Sequence, residues 1–249
     1  MKINKGLVTG IAVLGIILAA LGGVVVYQRN KDRNTLAARI AEIGNGGPPE
    51  TIEGLRSAIT VYEARIEQHV KDAAQAGVYW KILATRLQDR GLHNEALDAL
   101  ERTIYYNPED SAAFYLTGVS AAIVAKSSLN FTGAGENTAR DTYFALAESA
   151  YLRAIELDER YSRPRYGLSV LYLFELNRPE EAVPHLLRYL EIQTRDVDAM
   201  FLLARAYYMT GRYEESLSLY DRIIPLTRDE AKRTEAEKNK ETVLGILYG

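Results

Sequence analysis

The side chains that most often carry out catalysis are few in this sequence and lie far apart. The chain has no cysteine, which excludes thiolate nucleophiles, disulfides and cysteine zinc ligands. Its three histidines are His69, His93 and His185, and none has a further metal-ligating residue four positions later. A glycine-rich stretch around Gly133 and Gly135 lacks the lysine of a phosphate-binding loop. We therefore predict a protein that is not an enzyme, with no catalytic residues, no metal and no cofactor.

Charge is distributed unevenly along the chain. The net charge is −3, yet residues 1–33 contain five basic side chains and a single acidic one. The rest of the chain is therefore acidic. Because proteins bind nucleic acids mainly through clustered lysine and arginine, we expect no nucleic-acid partner.

An uncharged segment of 22 residues, 6–27, lies near the start of the sequence. As a helix it would extend over roughly 33 Å, enough to cross a hydrocarbon core of about 30 Å. Tyr27 and the basic residues after it are typical of a membrane interface. We predict an N-terminal transmembrane anchor over residues 1–27. A cleavable signal peptide is the alternative, because Ala20 and Gly22 have the spacing of a cleavage site.

The opening residues MKINK are in the style of bacterial proteins, so we expect a single-pass protein of a bacterial cell membrane. The side on which its body lies stays open. More basic residues follow the apolar segment than precede it, which weakly favours a cytoplasmic body. Short basic tails also precede single anchors of exported chains, and the body would then be periplasmic.

Residues 28–51 form a polar linker that ends in a cluster of glycine and proline. Beyond it the apolar residues recur with helical periodicity, and the pattern itself repeats about every 34 residues. Ala84 is followed by Gly118 at 34 residues, and Ser169 by Ala204 at 35. Such small residues allow two helices to approach closely, and a glycine such as Gly91 suits the turn between them.

These residues resemble the tetratricopeptide repeat (TPR) family, most strongly at 77–110 and 197–230. Residues 162–196 match with Asn177 in place of the usual glycine, and residues 111–161 match once an insertion of 17 residues is set aside. The resemblance implies an all-α, TPR-like α-solenoid of four tandem helix-turn-helix repeats, in addition to the transmembrane helix. The TPR-like domain would cover residues 52–249, with capping helices at 52–74 and 229–249.

In this family the first helices of the repeats line a concave groove. The resemblance assigns the following residues to it: Lys81, Thr85, Tyr115, Val119, Ile123, Arg163, Tyr166, Val170, Phe174, Phe201, Arg205, Tyr208 and Met209. The middle of this groove would be apolar and aromatic. Lys81 matches a clamp for carboxylates that some members have, but Thr85 and Leu116 stand where that clamp requires asparagine.

We therefore expect a membrane-tethered scaffold that mediates protein–protein interaction or complex assembly. Its partner would be a protein or peptide that places a helix or an extended apolar segment in the groove. The alternative is an accessory component of a transporter or envelope complex that contacts a small apolar ligand. The insertion or the C-terminal helix could instead fill the groove from within. Association of the chain into a homo-oligomer is also open.

Overall fold

The computed structural model describes residues 51–128 and 138–249. In these two ranges all regular secondary structure is α-helical, as expected, and no strand occurs. The helices are α1 (Ile52–Asp89), α2 (His93–Tyr106), α3 (Ser111–Ser127), α4 (Thr138–Leu157), α5 (Ser162–Phe174), α6 (Pro179–Ile192), α7 (Val197–Met209), α8 (Tyr213–Leu226) and α9 (Glu230–Tyr248).

The predicted anchor at residues 1–27 and the linker up to residue 50 lie outside the described residues. Within the part of the chain that is described, no helix combines the length and the apolar character needed to cross a bilayer. The chain divides into two compact units, Met1–Asp72 and Ala73–Gly249, and the repeats belong to the second.

Successive helices of the second unit pack as antiparallel hairpins. Helix α3 contacts α4, α5 contacts α6, and α7 contacts α8, while α2, α4 and α6 each contact the helix that follows. The small residues predicted at the helix crossings are fully buried, among them Ala84, Ala147, Ala182 and Ala204. Close packing at these points excludes water from an apolar core that no single hairpin could form.

The turns inside the hairpins have the residues that their geometry requires. Gly91 and Gly211 have positive φ angles of 74° and 73°, and Asn177 has a φ of 50° at the equivalent point of the third repeat. Glycine has no Cβ to clash in this left-handed region, and asparagine is among the other residues that tolerate it. The predicted role of these three positions is confirmed.

The start of a new hairpin is marked by aspartate in several repeats. The carboxylates of Asp110, Asp196 and Asp229 accept hydrogen bonds from free backbone N–H groups in the first turns of α3, α7 and α9. Such caps satisfy donors that have no partner inside the helix. They fix the residue at which each of these helices begins.

One helix boundary differs from that expected from the sequence. Helix α1 runs without a break from Ile52 to Asp89, where we expected a capping helix that ends at residue 74. No proline lies in this stretch, and its two glycines, Gly54 and Gly77, are tolerated within a long helix. The insertion lengthens α3 to 17 residues and α4 to 20, compared with 13 and 14 for α7 and α8.

The ring of Tyr151 packs at the junction of the second and third repeats. It is 4% exposed. A Cβ at Gly118 of α3 would lie 2.5 Å from Cε1 of this ring, and one at Gly167 of α5 would lie 2.8 Å from Cζ. The two glycines therefore provide the space that the ring occupies. Burial raises the pKa of the Tyr151 phenol well above its ordinary value.

A polar network joins the same two repeats at their other edge. The Arg178 guanidinium donates two hydrogen bonds to the Glu148 carboxylate, with N–O distances of 2.8 and 3.0 Å. The Tyr172 hydroxyl donates to the same carboxylate at 3.0 Å, and Arg178 stacks 4.7 Å above the Tyr172 ring. Such paired contacts fix the orientation of α4 relative to the turn before α6.

We expect Gly118→Ala to lower the free energy of unfolding by about 1–3 kcal/mol, because the added methyl group would displace the buried Tyr151 ring. Urea denaturation of the full chain followed by circular dichroism measures this change. Gly245→Ala is the matched control. A Cβ at Gly245 meets nothing within 4 Å, so this helical substitution should raise stability by about 0.5 kcal/mol. Equal effects of the two substitutions would contradict the packing argument.

His185 should make the stability of the fold depend on pH. Its pKa is lowered by burial of the ring and then by the positive charge of Arg165, while Glu181 acts in the opposite direction. Below a pH of about 6.5, His185 therefore binds a proton more readily in the unfolded chain than in the folded chain. The free energy of unfolding consequently falls as the pH falls. His185→Gln should flatten this dependence in urea titrations between a pH of about 8 and about 5.

The measurement near a pH of about 8 serves as the control for His185→Gln, because both side chains are neutral there and any difference reports packing alone. A variant with the same slope of stability against pH as the wild type would show that His185 does not contribute.

Candidate functional site

The polar groove residues predicted in the first repeat bind other parts of the fold. The Lys81 ammonium group lies 2.5 Å from the Asp110 carboxylate, the same carboxylate that caps α3. The Thr85 hydroxyl donates to the Lys81 carbonyl at 3.0 Å. Nearby, the Gln88 amide donates to the Leu116 carbonyl and to the Ser120 hydroxyl. The contacts of Lys81 and Gln88 hold the first repeat to the second, whereas the Thr85 bond lies within α1.

The aromatic residues predicted for the middle of the groove are partly buried by neighbouring tyrosines. The Tyr115 ring lies edge-on to Tyr161, with centroids 5.4 Å apart. Tyr166 lies 5.3 Å from Tyr189, whose hydroxyl donates to Asp196 at 2.7 Å. Val119 packs against the same core, and Val170 is half-buried. Ile123 and Arg163 are exposed.

A pocket of about 370 Å³ lies between α5, α7, α8 and α9. It brings together four of the predicted residues, Phe174, Phe201, Arg205 and Tyr208. Its lining is completed by Leu202, Tyr220, Glu235, Asn239, Thr242 and Val243. Met209 follows Tyr208 on α7 and is exposed outside the lining. The other predicted groove residues lie outside this pocket.

Arg205 gives the pocket its positive charge. Its guanidinium carbon lies 4.8 Å from the centre of the Phe174 ring. Of the described carboxylates, none is within ion-pair distance of Arg205, although Glu235 lines another part of the same pocket. Cation–π stacking orients the guanidinium and leaves donors available. Burial raises the pKa of the Tyr220 hydroxyl above its ordinary value.

The C-terminal helix provides the part of the pocket that the sequence did not predict. Ala236 and Val243 of α9 are almost fully buried and lie seven residues apart, on one face of the helix. Glu235, Asn239 and Thr242 follow along the adjacent face and line the pocket. Helix α9 therefore forms a wall and leaves the space between the aromatic residues open. The i, i+7 spacing was the available signal for its docking.

A second pocket of about 410 Å³ lies between α2, α3 and α4. Leu97, Ile104, Tyr143 and Leu146 provide its apolar lining. No residue predicted for the groove lies here. In the part of the chain that the structure describes, no cluster of histidine, aspartate and glutamate could hold a metal ion.

The arrangement of paired helices, left-handed turns and small crossing residues is that of a TPR-type α-solenoid. Residues 170–231 match the tetratricopeptide repeat family. A curated relative, anaphase-promoting complex subunit 3 of Schizosaccharomyces pombe, is 25% identical over 169 residues, which are 68% of this chain. The match covers 22% of that protein, so this chain spans about a fifth of its length.

Several solved structures are similar in fold. YrrB, a TPR protein with an unusual peptide-binding site, has a TM-score of 0.57 at 15% identity, covering 72% of this chain and 82% of its own. MamA from Desulfovibrio magneticus RS-1 has a TM-score of 0.53 at 16% identity, covering 69% and 94%. A thermophilic TPR protein of Thermus thermophilus has a TM-score of 0.51 at 16% identity, covering 85% and 98%. The predicted TPR-like fold is confirmed.

Proposed function

We propose that this protein is a membrane-tethered TPR scaffold that binds a protein or peptide partner at the pocket between α5, α7, α8 and α9. The observation that carries this proposal is the open space of about 370 Å³ among Phe174, Phe201 and Tyr208. Phe174 is 49% exposed and Tyr208 is 38% exposed, which leaves large aromatic surfaces free for contact. Aromatic side chains at this level of exposure are typical anchors of protein interfaces.

The chemistry of the pocket defines the partner. Its apolar part suits one large apolar side chain of a helix or an extended segment. Arg205 would pair with a carboxylate placed next to that side chain, since a guanidinium donates hydrogen bonds in the geometry that a carboxylate accepts. Glu235 disfavours a second carboxylate on the α9 side. The partner segment therefore has an apolar anchor followed or preceded by one acidic group.

Two similar proteins support a binding role. YrrB is named for a peptide-binding site, and the Schizosaccharomyces pombe relative is named as a subunit of a complex. Both names describe binding or membership of a complex, so we infer assembly rather than catalysis. The pocket volume also lies in the range of small-molecule sites, about 300–1,000 Å³. A small apolar ligand is therefore the second candidate occupant.

We expect peptides selected from a random display library on the full chain in detergent to bind through this pocket. Phe174→Asp should weaken them about tenfold or more, because the charge removes an apolar contact without disturbing the core. Arg205→Gln should weaken the acidic peptides selectively. Fluorescence anisotropy with labelled peptides measures both effects.

Leu187→Asp is the matched control for this experiment. Leu187 is 45% exposed on α6 and does not line the pocket, so it tests the effect of adding a charge elsewhere on the array. Peptides that bind Phe174→Asp as tightly as Leu187→Asp would place the binding site elsewhere. Selection of no peptide, with a small molecule retained in native mass spectra, would favour the second candidate.

We further propose that residues 6–27 tether the protein to a cell membrane as a single span. The full chain should stay in the pellet when membranes are extracted with alkaline carbonate. A variant with Leu14→Arg and Leu18→Arg should appear in the supernatant, because each arginine costs about 2.5–3.5 kcal/mol at the centre of a membrane helix. The matched control is Leu14→Ile and Leu18→Ile.

Release of the wild-type chain by carbonate would contradict the tether. An intact mass that lacks the first residues would identify the segment as a cleaved signal peptide instead. Protease treatment of intact cells and of spheroplasts then reports which side of the membrane holds the repeats.

A further inference from the structure

The pocket of about 410 Å³ between α2, α3 and α4 combines apolar surface with acidic groups. We call it the α2–α4 pocket. Leu97 and Ile104 lie seven residues apart on the face of α2 that lines it. Asp98 and Glu101 line it from the same face, in the two turns between them. This wall is therefore apolar at both ends and carries two carboxylates in the middle.

A segment of α4 that the second helices of the other repeats lack contributes to another wall. Helix α4 begins nine residues before the buried Ala147, whereas α6 begins three residues before the equivalent Ala182. The insertion thus adds residues 138–143 to the helix. Tyr143 is the last of them, and it lines the pocket together with Leu146, which is 39% exposed. Apolar surface is open to solvent on this side as well.

The two carboxylates have no counterion in the described part of the chain. Asp98 and Glu101 are exposed, and none of the described basic side chains lies within ion-pair distance of either. Arg102, the one lysine or arginine of α2, instead donates to the Tyr106 hydroxyl at 3.2 Å and stacks on its ring. The pocket thus carries negative charge that these contacts do not neutralise.

We propose that the α2–α4 pocket binds a segment of a partner protein in which a large apolar side chain adjoins a lysine or arginine. The basic group pairs with Asp98 and Glu101, and the apolar group covers Leu97 and Leu146. The aliphatic part of a lysine or arginine also packs well on the apolar ends of this wall. Residues 129–137, which join α3 to α4, contain no lysine or arginine and so lack the charge that the pocket selects.

The α2–α4 pocket is separate from the pocket between α5, α7, α8 and α9. The two have no lining residue and no helix in common. They also differ in charge, because Arg205 lies in one and the Asp98 and Glu101 carboxylates lie in the other. The chain therefore has room for two different segments at once. Binding at the α2–α4 pocket does not require that the other pocket binds a peptide.

The test begins with peptides selected from a random display library on the full chain in detergent. The selection uses Phe174→Asp, which removes an apolar contact from the other pocket. We expect peptides in which lysine or arginine adjoins a large apolar residue. In fluorescence anisotropy, Asp98→Asn together with Glu101→Gln should weaken these peptides by about threefold to tenfold, because two exposed ion pairs are lost. Added salt should weaken binding to the wild type more than binding to this variant.

Glu109→Gln together with Glu237→Gln is the matched control for the charge change. Both residues are exposed and lie outside the pocket, and the net charge changes by the same amount. The peptides should bind this control as tightly as the wild type. Equal weakening by the two double variants would overturn the proposal in favour of a general attraction to an acidic surface. Selection of no basic peptide would also overturn it.

The apolar part of the site is tested by Leu146→Gln. This change should weaken the same peptides by about tenfold, because it removes apolar contact at the open wall. Leu187→Gln is its control, since Leu187 is 45% exposed on α6 and does not line the pocket. Circular dichroism should show the same helix content for both variants. Unchanged binding to Leu146→Gln would contradict an apolar anchor at this wall.

The absence of cysteine allows the bound peptide to be located directly in the full chain. Asn94 is exposed and lines the α2–α4 pocket. A selected peptide at saturation should slow the reaction of Asn94→Cys with a thiol reagent, because the peptide covers this position. Glu109→Cys, exposed outside the pocket, should react at the same rate with and without peptide. An unchanged rate at Asn94→Cys, or equal protection of both cysteines, would refute binding at this pocket.

Discussion

The close approach of helices at small residues is the constraint on which the repeat array depends. Ala84, Ala147, Ala182 and Ala204 are completely buried at crossings between helices. A larger side chain at any of them would separate two helices and expose apolar surface on both. The aromatic residues depend on the same constraint, because the ring of Tyr151 enters between α3 and α5 only where both helices carry glycine.

A solenoid built from such contacts must also end, and its two ends differ. Leu168 and Leu203 are buried where the first helices of the third and fourth repeats meet the preceding repeat. Leu83 occupies the equivalent position of the first repeat and is 44% exposed. At the other end, Val243 of α9 is buried against the fourth repeat. The C-terminal end is therefore closed by a helix, and its closure creates the pocket.

The repeats could be predicted from the sequence because their signals are local. Glycine at 91 and 211, asparagine at 177 and the spacing of small residues each reflect a requirement of one hairpin. The sequence did not predict the continuity of α1, because the repeat pattern implies a helix boundary before the first repeat. Gly77 alone does not end the helix there. The pocket was predicted only in part. Its walls on α5 and α7 follow from the repeat pattern, whereas Glu235 and Asn239 enter through the docking angle of α9, which no local pattern specifies.

Basic residues on the first helices of this array perform different tasks, according to whether the fold satisfies their polar groups. Lys81 and Arg205 both lie on first helices of repeats. The Asp110 carboxylate forms an ion pair with Lys81, and this pair joins two repeats. Arg205 only stacks on the Phe174 ring, so the N–H groups of its guanidinium remain free to donate hydrogen bonds. A binding groove is therefore not a uniform property of a TPR solenoid. The pocket that we propose as the binding site lies at the C-terminal end, where the array has left a charge without an ion-pair partner beside open apolar surface.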